Sequence, residues 1–150
     1  MQQNTVFGGE YSRRDIFLIM ALVYIFGVIC RYYWVVWTLG MDEFWLNGVP
    51  LLTTNDAFAN AEGARDMLAG FHQKGDLSPY GASIPTLTFL ISNILSSNVD
   101  TVAFYSSIFL SPLLAVPIIL ISREYKMLSV GVVASLLAVS APGYYIRTMG

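Results

Sequence analysis

A helical protein that crosses a membrane several times is predicted by three observations. First, the 150 residues are 55% hydrophobic and 14% aromatic but only 12% charged, about half the charged fraction usual in soluble domains. Mean hydropathy is +0.59. Second, three apolar runs, at residues 16–39, 101–122 and 127–146, each exceed the ~18 residues that a helix needs to cross a bilayer. Third, the basic residues before the first run and between the second and third collect on one side. The fold class is therefore all-α and polytopic, with the lipid bilayer as its partner. A net charge of −2 offers no basic surface, which argues against nucleic acid. The single cysteine, Cys30, excludes an internal disulfide or a cysteine zinc site, and reads as a small packed hydrophobe.

The first run is a permanent anchor. Residues 1–10 are polar, and the apolar stretch that starts at Ile16 continues too far, without a small-residue cleavage site, to be a signal peptide. Arg31 interrupts it ~22 Å beyond Ile16, near the far interface, where a long basic side chain can snorkel. Tyr32, Tyr33, Trp34 and Trp37 surround it as an interfacial aromatic belt would. The second run carries no charge, and Pro112 and Pro117 are expected to bend it. The third is uncharged up to Arg147, with Pro142 near its end.

Arg13 and Arg14 precede the first run, and Arg123 and Lys126 fill the turn between the second and third. The positive-inside rule puts both sets, and the N-terminus, in the cytoplasm. Residues 40–100 then form an external loop in which acidic residues outnumber basic ones. Arg147 returns to that same face, so Asp56 and Arg147 are predicted neighbours.

Within the loop, Asn55 or Asp56 can cap a helix over residues 57–69, stopped by Gly70. Glu62, Arg65 and Asp66 are spaced to pair across one turn of it. Residues 71–81, with Gly75, Pro79 and Gly81, read as loop. Pro85 opens an apolar stretch over residues 86–95, too short to span and suited to lie along the interface. There are no internal repeats and no Asn-x-Ser/Thr acceptor.

Asp56 is the leading candidate site residue. It can be no more than a helix cap. Equally, a lone carboxylate at the mouth of a membrane span suits a hard divalent cation, although one aspartate makes no metal site and further acidic groups must come from elsewhere. Arg147 is either an interfacial anchor beside Tyr144 and Tyr145 or a guanidinium fork for a diphosphate or carboxylate. His72, the only histidine, is read as an ordinary surface group, and Asp42 and Glu43 as emergence into water. Glu62, Arg65 and Asp66 either support the Asp56 loop or form a solvated helix face. Nucleophilic triads, phosphate-binding glycine loops and zinc motifs do not occur.

Thr53-Thr54-Asn55-Asp56, then Ala61-Glu62-Gly63-Ala64-Arg65-Asp66-Met67 and Ala69-Gly70-Phe71-His72-Gln73, resemble the first external loop of bacterial single-subunit oligosaccharyltransferases of the PglB type. Cys30-Arg31-Tyr32-Tyr33-Trp34-Val35 is similar to the end of their first span, and Asp76-Leu77-Ser78 with Tyr80-Gly81 to the rest of the loop. Arg123-Glu124-Tyr125-Lys126, Tyr144-Tyr145 and Arg147-Thr148-Met149 agree further on. The resemblance covers most of the chain.

It implies a GT-C-type membrane glycosyltransferase of the bacterial inner membrane, with its active face in the periplasm. The donor would be a polyprenyl-diphosphate-linked oligosaccharide, and the acceptor a polypeptide carrying Asn-x-Ser/Thr. Asp56 matches the first acidic motif, which implies that it ligates Mg²⁺ or Mn²⁺ and contacts the acceptor amide. Arg147 matches the arginine just upstream of the second acidic motif and is expected to border the active site. Ala57 and Phe58 stand where the family has Gly-Tyr, and Asn60 replaces an apolar residue, which puts acceptor fit in question. The chain is expected to be the N-terminal three spans and first loop of a longer protein. The second acidic motif, a later loop glutamate, the remaining spans, the C-terminal periplasmic domain and a Trp-Trp-Asp motif would lie beyond it. Alone it should be inactive.

Two other readings stay open. Another lipid-phosphate-sugar glycosyltransferase would be separated by donor assays. A small transporter or scaffold fits less well, because the second and third runs hold no ionisable side chain except tyrosine.

Overall fold

The computed structural model describes residues 11–52, 55–70 and 84–141, and of residues 55–57 the backbone alone. Helix α1 runs Arg13–Leu39, 27 residues, or ~40 Å. It starts ahead of the apolar run because Ser12 and Asp15 form a capping box, each side chain accepting from the other's backbone N–H. A short 3₁₀ turn, Asp42–Phe44, leads into a hairpin of β1 (Trp45–Leu46) and β2 (Val49–Pro50), paired antiparallel. Asn47 and Gly48 form its tip with φ of 53° and 78°, the paired left-handed geometry that Asn-Gly favours. The indole N–H of Trp45 donates to the Leu39 carbonyl at 2.8 Å, fastening the hairpin to the end of α1.

Helix α2 spans Asn55–Ala69. Gly70 terminates it at φ 67°, as the sequence predicted. Asn55 and Asp56 lie inside its first turn rather than capping from outside. The predicted loop of residues 71–81 and His72 fall outside the described residues. Helix α3 is Ile84–Leu95, one turn longer than expected at most. Ser96 takes a left-handed conformation (φ 50°), and the Ser97 N–H closes back on the Ser92 carbonyl at 3.0 Å, so a Schellman turn ends it.

The second apolar run is one helical rod in three parts. These are α4 (Val99–Leu110), a 3₁₀ segment (Ser111–Leu114) and α5 (Ala115–Glu124). Asn98 caps α4 by accepting from the Asp100 N–H at 2.8 Å. The local distortion expected of the prolines occurs at Pro112, where the hydrogen bonding tightens to 3₁₀. Pro117 then falls in the first turn of α5, where no N–H partner is missed. Lys126 (φ 57°) and the Met127 N–H to Ser122 carbonyl bond of 2.8 Å make a second Schellman turn. Helix α6 follows, Leu128–Ser140. The rest of the third predicted run, residues 142–146, lies outside the described residues.

Two apolar clusters stack along the bundle. Ile16 and Val23 of α1 meet Ala115, Ile119, Leu128 and Val139 at one end. At the other end Val35 of α1 meets Leu52, Ala61, Ala64, Val99, Phe104 and Ile108. Arg13, Arg14, Arg123 and Lys126 are therefore gathered at the first end, and the loop helices at the second.

Polarity is distributed inside out. Thr88 and Ser92 are the buried face of α3, whereas Leu90 and Ile94 are 46% and 77% exposed. Arg31, Thr38 and Ser135 are likewise buried, while Phe17, Leu22, Ile25 and Ile29 of α1 face outward. Ser135 donates to the Ala115 carbonyl (3.4 Å) and Tyr24 to the Phe109 carbonyl (3.1 Å) across helices. A surface of this kind suits lipid, where small and polar residues mediate helix contacts. By length and composition, α1 and the α4–α5 rod can each cross a membrane.

Arg31 corrects the sequence reading. It is 1% exposed and does not snorkel at the periphery. The reason is angular: Val23, Gly27, Arg31, Val35 and Thr38 form one buried stripe of α1 at helical spacing, so the side chain starts on the face that packs inward. Its neighbours Tyr32 and Tyr33 do point outward, at 59% and 74% exposure, as an aromatic belt requires.

Candidate functional site

The site builds upward from α2. Its buried face is made of Ala61, Gly63 and Ala64, side chains small enough to let the helix lie close against α3 and α4. Asp56 occupies the second position of this helix, at the end of the bundle where α1 finishes and α4 begins. Nothing is described of its side chain. Arg147, the expected neighbour of Asp56, lies outside the described residues.

Arg65 forms an ion pair with Asp100 of α4. The sequence had suggested pairing within its own helix, among Glu62 one turn before and the adjacent Asp66. The folded chain instead brings a carboxylate from 35 positions on, because α2 packs on α4 and Asp100 sits in the first turn at that contact. Sequence spacing carried no signal for this pair. A cavity of about 290 Å³ lies between the hairpin and α2. Leu46, Val49, Leu52 and Phe58 wall it, with Arg65 and Asp100 on its polar side. Phe58, two positions after Asp56, is 47% exposed. The hairpin wall was also missed, although Asn47-Gly48 is a signal that could have revealed it.

As a donor set, one carboxylate supplies a hard oxygen suited to Mg²⁺ or Mn²⁺. Among the described residues no group of three or more His, Cys, Asp or Glu side chains comes together to hold an ion. Any such ion would need ligands from beyond them.

Fold and site together define a helical membrane unit that presents an amphipathic loop helix, headed by a carboxylate, at one end of its spans. A family model described as the N-terminal part of the oligosaccharyl transferase STT3 matches residues 14–150, and the chain belongs to that family. It is 47% identical over 134 residues to an undecaprenyl-diphosphooligosaccharide–protein glycotransferase of Campylobacter jejuni serotype O:2. A second relative of the same name, from Campylobacter jejuni strain RM1221, is 46% identical over 134 residues. Both alignments cover 89% of this chain, which spans 19% of each relative's length.

Proposed function

We propose that the full-length protein carrying this chain transfers a preassembled oligosaccharide from a polyprenyl diphosphate to the side-chain amide of asparagine in Asn-x-Ser/Thr acceptors. The observation that supports this is the near-half identity, over 89% of the chain, to relatives named for that donor class and a protein acceptor. The outer end of the bundle, with α2, would face the periplasm of a bacterial inner membrane. The basic residues gathered at the opposite end favour that orientation.

In this reading Asp56 has two tasks. It ligates Mg²⁺ or Mn²⁺, which when bound offsets negative charge on the departing diphosphate. It also accepts a hydrogen bond from the acceptor amide. An amide nitrogen is a poor nucleophile while its lone pair is conjugated with the carbonyl. A fixed carboxylate drawing on its N–H weakens that conjugation and makes the nitrogen available to the anomeric carbon. As that bond forms, the bond from the sugar to the diphosphate oxygen breaks and the nitrogen loses a proton. Arg147 borders the site, its guanidinium fork matched to diphosphate oxygens.

The direct test is Asp56→Ala in the full-length protein, followed by gel-shift of an Asn-x-Thr peptide incubated with lipid-linked oligosaccharide. Transfer is expected to vanish while the amount of protein in the membrane is unchanged. Undiminished transfer would reject the assignment.

A further inference from the structure

The fold brings four cations to one end of the bundle without giving them anions. Ile16 of α1, Ile119 of α5 and Leu128 of α6 share one buried cluster. Arg13 stands one turn before Ile16, and Arg123 one turn after Ile119, each on the same helix face as its isoleucine. Both guanidinium groups therefore extend from that cluster toward the end of the spans, with Arg14 and Lys126 beside them. All four residues are exposed. Among the described residues, none of the four forms an ion pair or a side-chain hydrogen bond. The described carboxylates nearby are Asp15 and Glu124, and Asp15 is engaged in its capping box, accepting from the Ser12 N–H at 2.9 Å.

Local structure does not call for this arrangement. Cations in the first turn of a helix oppose its dipole, which sets Arg13 and Arg14 at a small disadvantage, and like charges drawn together repel. The positive-inside rule accounts for the side on which the four lie but asks nothing of their convergence. An anion seated among them answers both costs.

The surface below them says what carries that anion. Arg14, Leu18 and Leu22 follow one another at four-residue spacing on α1, one above the next, and both leucines face outward. Phe17, also exposed, repeats the pattern under Arg13. Tyr125 and Met127 are exposed on either side of Lys126. Charge at headgroup level with apolar side chains directly inward matches a lipid, where a free phosphate would use the charge alone.

We propose that this end of the bundle binds an anionic phospholipid, its phosphate held between α1 and the α5–α6 turn and its acyl chains lying along Leu18 and Leu22. Basic sites between spans at a membrane surface bind such headgroups. The site is independent of the reading of Asp56.

The test uses the full-length protein with its native cysteines replaced by serine and a bimane fluorophore on Leu22→Cys. It is reconstituted into phosphatidylcholine vesicles containing phosphatidylglycerol. Leu22 lies ~12 Å inward of Arg14, so quenching by lipids brominated at mid-chain reports which lipid occupies the position. Phosphatidylglycerol is expected to bind about fivefold more tightly than phosphatidylcholine, and Arg13→Gln with Arg123→Gln to reduce that preference to within about twofold. Arg13→Lys with Arg123→Lys should keep it, because the charge is what the phosphate requires, and high salt should weaken it. Lys126→Gln carries the measurement if the double glutamine variant does not fold. Equal affinity of the two lipids for the unaltered protein overturns the proposal, as does a preference that the glutamine variants retain. Soluble glycerol phosphate is expected to leave the bound lipid in place. Displacement by it would mark a site for free phosphate esters and defeat the lipid assignment.

Discussion

A methyl group has no place at Gly131. An added Cβ would fall 2.3 Å from both Cβ and Oγ of Ser122, and rotating the hydroxyl cannot relieve the clash with Cβ. Gly131→Ala is therefore expected to force α5 and α6 apart and cost about 1–3 kcal/mol. Thermal unfolding in detergent should show the loss, and Ser122→Gly in the same chain should recover most of it. Gly27 is a similar contact, its absent Cβ 2.8 Å from that of Pro112. Single residues also mark where sequence reading reached its limit. Hydropathy gave Arg31 a depth but not a direction, and direction decided its environment. Asp56 has the same sequence context as a helix cap and as a metal ligand, so spacing could not separate the two, and the assignment comes from family resemblance.

Helical elements were legible where a stop signal and a periodic face coincided. Gly70 ended α2 as expected because an achiral residue enters the left-handed region without the usual penalty. Gly70→Ala places a Cβ at φ 67° and should cost about 1 kcal/mol. Amide hydrogen exchange in the last turn of α2 would accelerate, and Gly70→Asn should do so less. The start of α2 was less legible, since Asn55 and Asp56 favour both the cap and the first turn. The hairpin escaped notice because each strand is two residues long, too short for alternation to register, leaving its Asn-Gly tip as the sole cue. The partner of Arg65 was hidden for another reason: ion pairs between elements depend on packing, which local spacing does not encode.

At the scale of the whole molecule, two spans were read directly from apolar length, and the two-ended distribution of charge survives in the folded bundle. That distribution is testable. With Cys30 replaced by serine, Asn47→Cys at the hairpin tip should react with a membrane-impermeant maleimide in intact spheroplasts. Lys126→Cys, in the α5–α6 turn, should react only after permeabilisation. The reverse pattern would invert the proposed orientation. The burial of Arg31 bears on biosynthesis. A helix with a cation on one stripe rests poorly in hydrocarbon by itself, because a charged side chain facing lipid is penalised unless it reaches the interface or another helix covers it. Helix α1 thus reaches its settled state only once later helices arrive to cover that stripe. Assembly acquires a direction, and a nascent chain halted before residue 99 should be a preferred target of membrane quality-control proteases.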